Sequence, residues 1–432
     1  MAFDPIEYIN RPRWKKMKLD LSRIEELLEK LGNPQDKLSF VHVAGTNGKG
    51  STCSFIPSVL TESGYKTGLF TSPYLYQFEE RIQIDGSYIP YDELLRITLK
   101  VKDVADNMEE HPTEFELMTA VAMCYFAESS CDIVVLEVGL GGRLDSTNVI
   151  KNSEVSVITS IALDHTNILG NTVAKIAQEK AGIIKPACPV VSWSQQPDAL
   201  DVIQKQCEKL SCDLQCVDFN KLTVVHQACE KEAFTVFRYK NFPELEIKLL
   251  APYQPYNAAL ALEAIAVLRT KGWNISDENI YKGFKNTKWP GRFELVSENP
   301  AVIFDGGHNP QGAHALAEAI KTFVPGKQVT FIMGVLEDKD YIAMLEELVP
   351  LAKNFVCITP ESPRALQADK LARSIRWTHQ DMFGCTSCMR VEVANSACDA
   401  FEKASSFCQE DDVIVICGSL YLLGSFKMLL SS

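Results

Sequence analysis

Five short polar clusters carry side chains suited to phosphate, metal or carboxylate chemistry. The first is Gly45-Thr46-Asn47-Gly48-Lys49-Gly50-Ser51-Thr52. Its glycines let backbone N–H groups turn toward an anion, and a following helix adds partial positive charge. Lys49 would reach the outer phosphates of a nucleotide, with Ser51 or Thr52 near a metal. The strict phosphate-loop pattern places glycine at position 43 and Ser or Thr at position 50; here Val43 and Gly50 stand there. The second cluster, Thr71-Ser72-Pro73, ends an apolar run. Ser72 could ligate Mg²⁺ or simply begin a turn.

Glu137 closes Ile133-Val134-Val135-Leu136 and precedes Gly139-Leu140-Gly141-Gly142-Arg143-Leu144-Asp145. A carboxylate there is costly unless a cation or metal sits beside it. A salt bridge to Arg143 and oxygen ligation of Mg²⁺ both meet that need. The fourth cluster, Leu163-Asp164-His165-Thr166, places a histidine beyond an apolar run, as a metal ligand or a structural residue. The fifth is Asp305-Gly306-Gly307-His308-Asn309-Pro310. Its Asp could hold a ribose hydroxyl, and its His and Asn could meet phosphate. No G-x-G-x-x-G accompanies it, which argues against a dinucleotide site.

The elements that must position these clusters read as a parallel α/β pattern. Candidate strands are 40–44, 66–71, 133–137, 155–160 and 189–192. Asp20 or Ser22 could cap a helix bearing Ile24, Leu27, Leu28 and Leu31, ended by Gly32. Pro57 predicts a kink in the helix after the glycine loop. Residues 214–250 alternate in the manner of a β-rich excursion. Trp289-Pro290-Gly291 is the best linker signal, with Arg292 at the joint where ligands often sit. A second α/β pattern follows, with strands at 301–304, 328–333, 355–358 and 413–417. The expected division is 1–290 and 296–432: a phosphate-loop parallel-sheet domain, then a smaller Rossmann-like one.

A chain of 432 residues exceeds one ordinary core. Hydrophobic content of 46% and charged content of 23% are those of a globular protein. The net charge of −13 argues against a nucleic-acid surface. No apolar run spans a membrane and no signal peptide precedes the chain, so a cytoplasmic protein is expected. The 14 cysteines are read as mostly buried, reduced thiols. Cys385 and Cys388 form a single C-x-x-C with no second pair to complete a zinc set.

Taken together, the motifs resemble the folylpolyglutamate synthase family, with its bifunctional dihydrofolate synthase members, within the Mur-ligase superfamily. The matching stretches are Gly45–Ser51, Thr71–Pro73, Glu137–Asp145, Leu163–Thr166, Glu179–Ile183, Arg292-Phe293-Glu294, Asp305–Pro310 and Gly418-Ser419-Leu420-Tyr421. The extra Gly50 is itself a mark of that family. The resemblance implies that ATP phosphorylates a carboxylate of dihydropteroate or of a folate's terminal glutamate, and that the amine of L-glutamate attacks the acyl phosphate. A Mur-type peptide ligase, and a phosphate-loop kinase or ATPase that forms no amide, are the alternatives.

By resemblance, Thr46, Asn47, Gly48, Lys49, Gly50 and Ser51 hold the ATP phosphates. Asn257, Arg292 and Asp305 contact ATP across the cleft, with His308 close by. Ser72, Glu137 and His165 ligate Mg²⁺, two ions being implied. Lys180 matches a lysine that relatives carbamylate to hold the second metal, which replaces the solvated-face reading that Glu179-Lys180 suggests alone. Asp20, Glu114, Phe115, Leu144 and Asp145 match the folate-side pocket. Tyr253-Gln254 stands where relatives have His-Gln. Small-molecule substrates and a monomer are expected, with no nucleic acid or membrane partner.

Overall fold

In a computed structural model the described residues are 3–11, 20–228, 233–385, 389–409 and 411–430. The first sheet is built from β1 (Phe40–Ala44), β2 (Thr67–Phe70), β3 (Ile82–Ile84), β4 (Ser87–Tyr88), β5 (Ile133–Glu137), β6 (Val155–Ile158), β7 (Val190–Ser192) and β8 (Leu214–Cys216). Its order is β4-β3-β2-β5-β1-β6-β7-β8. Strands β2, β5, β1, β6, β7 and β8 pair in parallel, while β3 and β4 form an antiparallel edge. β1 and β5 are buried at every residue, as parallel strands covered on both faces must be.

One face packs on the helices Lys49–Glu62 and Gln254–Thr270, whose apolar residues join Val41, Val43, Val135 and Val157 in one core. The other packs on the helices Ser22–Lys30 and Glu114–Glu128 through Phe40, Phe70, Leu117 and Val121. The first of these helices starts at Ser22 with no side-chain cap, Asp20 instead accepting from Ser22 N and Oγ. The helix Lys49–Glu62 continues through Pro57. The β-rich excursion is an antiparallel sheet of β9 (Leu222–Ala228), β10 (Phe234–Tyr239) and β11 (Phe242–Ile247), ordered β11-β10-β9.

The second large sheet comprises β12 (Glu294–Glu298), β13 (Ala301–Asp305), β14 (Val329–Met333), β15 (Ala352–Ile358), β16 (Arg390–Ala394) and β17 (Val413–Cys417). Its order is β12-β13-β17-β14-β15-β16, parallel except for β12. Ile303, Phe331, Phe355 and Val415 form a core with the helix Pro310–Phe323. Trp289 packs against the first sheet's core and Phe293 lies within the second's. Leu250 and Ala251 also belong to that second core, so the two layers share chain on both sides of the Trp289 turn.

β3, β4, β12 and β16 are not among the expected strands: they lie at or next to the sheet edges and are partly polar. Among the cysteines, Cys53, Cys357 and Cys417 are free and buried. Cys385 is disulfide-bonded, against the expectation of reduced thiols; Cys388 lies outside the described residues.

Candidate active site

The carboxyl ends of β1, β5 and β6 face those of β13, β14 and β17 across a cleft. Ligands in open α/β sheets bind outside strand carboxyl ends, so the fold brings two such rims together. A cavity of about 250 Å³ there is walled by the 45–51 loop, Ser72, Glu137, His165, Lys180, Asn257, Arg292, Asp305 and His308.

The glycine loop leaves β1 and enters the helix Lys49–Glu62 through Gly48, whose φ of 87° is left-handed. A Cβ on Gly48 would also collide with the Asn257 amide. Lys49 Nζ donates to Thr46 O at 3.2 Å. Gly50 lies under Trp289, and a Cβ there would stand 2.6 Å from the indole Cζ2. Packing on this tryptophan accounts for the residue that breaks the strict phosphate-loop pattern.

Glu137 is 4% exposed and accepts from Ser72 N at 3.1 Å. Burial raises its pKa, and Lys49 is the largest opposing charge. Its salt bridge to Arg143 does not form: Arg143 pairs with Glu179 at 3.0 Å. Lys180 is buried at 4% exposure and donates to Gly45 O at 2.6 Å. The solvated-face reading of Glu179-Lys180 is therefore wrong for the lysine. Desolvation, helped by the charge of Lys49, brings the Lys180 ammonium down to about 7.

His165 adopts a left-handed φ of 49° after β6, and burial lowers its pKa. Its neighbour Asp164 reaches across the cleft. Asp164 Oδ1 accepts from Lys339 Nζ at 2.7 Å and Oδ2 from Asn309 Nδ2 at 3.2 Å. Burial pushes Asp164 up, but Lys339, then His165 and His308, outweigh it and hold the carboxyl below its usual range. Asn47 also bridges the cleft, donating to Gln311 and accepting from Asn309.

On the opposite rim, Asp305 accepts from Phe293 N at 3.0 Å and Gly307 N at 2.8 Å. Burial raises its pKa against the charge of Arg292. His308 shares a hydrogen bond with Gly306 O at 3.0 Å, and desolvation and then Lys339 lower its pKa.

A second cavity, about 420 Å³, is lined by Asp20, Glu114, Phe115, Leu144 and Asp145, and by Ser72, His165 and His308 from the first. The Phe115 ring covers Gly139, where a Cβ would lie 2.5 Å from its Cζ. Asp145 braces its own loop, accepting from Leu140 N at 2.8 Å and Thr147 N at 3.0 Å.

Comparison with known proteins identifies this arrangement. Residues 43–265 match the Mur ligase middle domain and residues 291–420 the Mur ligase glutamate ligase domain. The Bacillus subtilis dihydrofolate synthase/folylpolyglutamate synthase is 37% identical over 95% of both chains. The chain belongs to the folylpolyglutamate synthase and dihydrofolate synthase family. Two solved members superpose over nearly the whole chain. A Mycobacterium tuberculosis folylpolyglutamate synthase complexed with ADP has 30% identity and a TM-score of 0.89, covering 99% of this chain and 98% of its own. Escherichia coli FolC in complex with DHPP and ADP has 30% identity and a TM-score of 0.85, covering 99% and 96%.

The motif reading gave no role to Asp164, Gln254 or Lys339, each of which contacts residues of the cleft. Gln254 is fully buried, donates to Ser51 Oγ at 3.2 Å and accepts from Asn257 Nδ2 at 3.1 Å. The neighbouring Tyr253 lines the cleft, its pKa raised by burial and then by Asp305. Asp164 was visible as the neighbour of His165; Lys339 carried no signal, because a lysine after a strand is ordinarily solvent-facing.

Proposed function

We propose that this chain is an ATP-dependent ligase that joins L-glutamate to the carboxylate of a folate through an acyl phosphate. The observation that carries this reading is the meeting of two cavities at Ser72, His165 and His308, one beside the phosphate loop and one beside Phe115. ATP would lie in the first, its phosphates on residues 46–51 and its remainder near Asn257, Arg292 and Asp305. The acceptor would lie in the second, its aromatic part against Phe115 and its chain along Asp20, Glu114, Leu144 and Asp145. The γ-phosphate and the acceptor carboxylate then meet at the shared wall. Both are anions, so Lys49 and Arg292 offset their repulsion and Lys49 follows the charge of the transferring phosphoryl group. Glutamate would enter from the second-sheet side, where its amine attacks the acyl carbon and phosphate leaves. Holding the three reactants at fixed positions supplies much of the acceleration.

The donor set suits Mg²⁺. Glu137 is a buried carboxylate whose charge needs a cation beyond one Ser72 N–H, and a hydroxyl and an imidazole adjoin it. Among the described residues no three His, Cys, Asp or Glu side chains converge as a metal site. A site here therefore depends on Ser72 Oγ, and a second one on Lys180. When bound, Mg²⁺ supplies Lewis-acid charge at the phosphoryl oxygens. The buried Lys180 amine, with its pKa near 7, is suited to carbamylation, which needs the neutral form.

The proposed domain division is 1–290 and 296–432, supported by the separate family matches. A cytoplasmic monomer is the accompanying reading. Among the described residues no helix is long and apolar enough to cross a membrane. The testing experiment is an acceptor panel of tetrahydrofolate forms and dihydropteroate, each with ATP, Mg²⁺ and labelled glutamate. Glutamate-dependent ADP release with label in the acceptor is expected with at least one folate. Phosphate release indifferent to glutamate would leave a kinase or ATPase instead.

A further inference from the structure

Among the described residues, four arginine and lysine side chains line the cavity beside Phe115: Arg23, Arg81, Lys339 and Arg364. Three are neutralised within the protein. Arg23 forks onto Glu116 at 3.2 Å, Lys339 meets Asp164 at 2.7 Å and Arg364 meets Asp338 at 3.1 Å. Arg81 differs. It is 8% exposed, and among the described residues no ion pair within 4.0 Å engages its guanidinium; the carboxylate that attracts it most is Glu114, on the wall of the same cavity. Its Nε is buried without a hydrogen-bond partner. The guanidinium lies over the Tyr74 ring at 4.9 Å from the centroid and near the Phe78 ring at 5.6 Å. Neither ring supplies a hydrogen-bond acceptor to that N–H. A buried cation with unmade hydrogen bonds is costly to keep unless a ligand completes it. The fork geometry of arginine fits a planar carboxylate.

We propose that Arg81 binds the α-carboxylate of the acceptor's terminal glutamate, and so separates folate acceptors from acceptors whose only carboxylate is the reacting one. This rests on the ligase reading above. Arg81 shares its cavity with Ser72, where the reacting carboxylate is placed, and with Phe115, where the aromatic part is placed. A glutamyl acceptor carries a second carboxylate a few bonds from the reacting one, and among the described residues Arg81 is the cation in that cavity with no ion pair of its own to give up. Arg81 acts here through binding and orientation; no bond to it forms or breaks.

The test is a two-by-two comparison of kcat/KM: wild type and Arg81→Gln, each with a tetrahydrofolate and with its α-carboxamide analogue whose γ-carboxylate is free. The wild type is expected to lose about 10- to 100-fold on the amide, the size of one lost charged hydrogen-bonded pair. Arg81→Gln should use acid and amide about equally, and Arg81→Lys should recover part of the preference. A wild type that uses both acceptors equally overturns the proposal, whether or not any variant folds. So does an Arg81→Gln variant that slows both acceptors equally while retaining the wild-type ratio. Wild-type turnover of the parent folate is the separate control on the ligase reading: without it, that reading fails before Arg81 is tested.

Discussion

Lys339 Nζ stands 2.7 Å from Asp164 Oδ1, joining the loop after β14 to the loop after β6 with both side chains about nine-tenths buried. The pair ties the two sheets together next to His165 and His308. Removing one partner leaves a buried charge unpaired, which costs about 3–5 kcal/mol. Lys339→Met should therefore destabilise more than the double variant Asp164→Asn/Lys339→Met. Thermal unfolding of the four proteins checks this; additive losses would show that the pair carries no coupling.

Glu137→Gln keeps the shape of the site and removes its charge. ATP turnover should fall about 10²- to 10³-fold, the scale of losing one preorganised electrostatic contact. Nucleotide binding, which draws on the 46–51 loop, should weaken less. EDTA should abolish wild-type turnover and added Mg²⁺ restore it; chelator-resistant turnover would refute the metal assignment.

Lys180 tests the carbamate. Above about pH 7 its amine is largely neutral and open to CO₂; below that it is an ammonium and closed to it. Activity of CO₂-stripped enzyme should fall and recover on adding bicarbonate, more completely at pH 8 than at pH 6. Recovery equal at both values, or no loss on stripping, would count against the modification.

His42 sits in the middle of β1, fully buried, with Nε2 2.9 Å from Thr147 Oγ1. Desolvation, then the charge of Lys185, lowers its pKa from 6.5 to about 3. The unfolded chain therefore binds one more proton between those values, and stability must fall as pH drops from 6.5 toward 3. His42→Gln, neutral throughout, should show an acid limb shallower by one proton in urea-unfolding free energies. An unchanged slope would mean that His42 is protonated in the folded protein.

Gly50 under Trp289 makes a packing prediction. Gly50→Ala should cost about 1–3 kcal/mol by overpacking and weaken ATP binding. Trp289→Leu, by freeing the space, should return part of that loss in the double variant. Calorimetric titration with ATP separates the two effects from a general loss of fold.

How much of this was legible beforehand follows from the range of each interaction. β5 and β13 are apolar runs that end in a carboxylate, Glu137 and Asp305, so their chemistry is written locally. Lys180 was misread from its own helix because its burial is imposed by Gly45 O, 135 positions away in sequence. Glu137 was left between Arg143 and a metal; only tertiary placement shows Arg143 committed to Glu179. Lys339 and Arg81 escaped notice for a related reason. Charged residues in polar stretches gain meaning only when a distant surface closes over them.

The common wall of Ser72, His165 and His308 has a chemical corollary. A mixed anhydride formed there is born already beside its acceptor pocket and has no path to travel before the amine arrives. Its lifetime is then set by how well that partition keeps bulk solvent out. Wasteful nucleotide consumption without the amino acid becomes a direct gauge of how tightly the two rims stay docked.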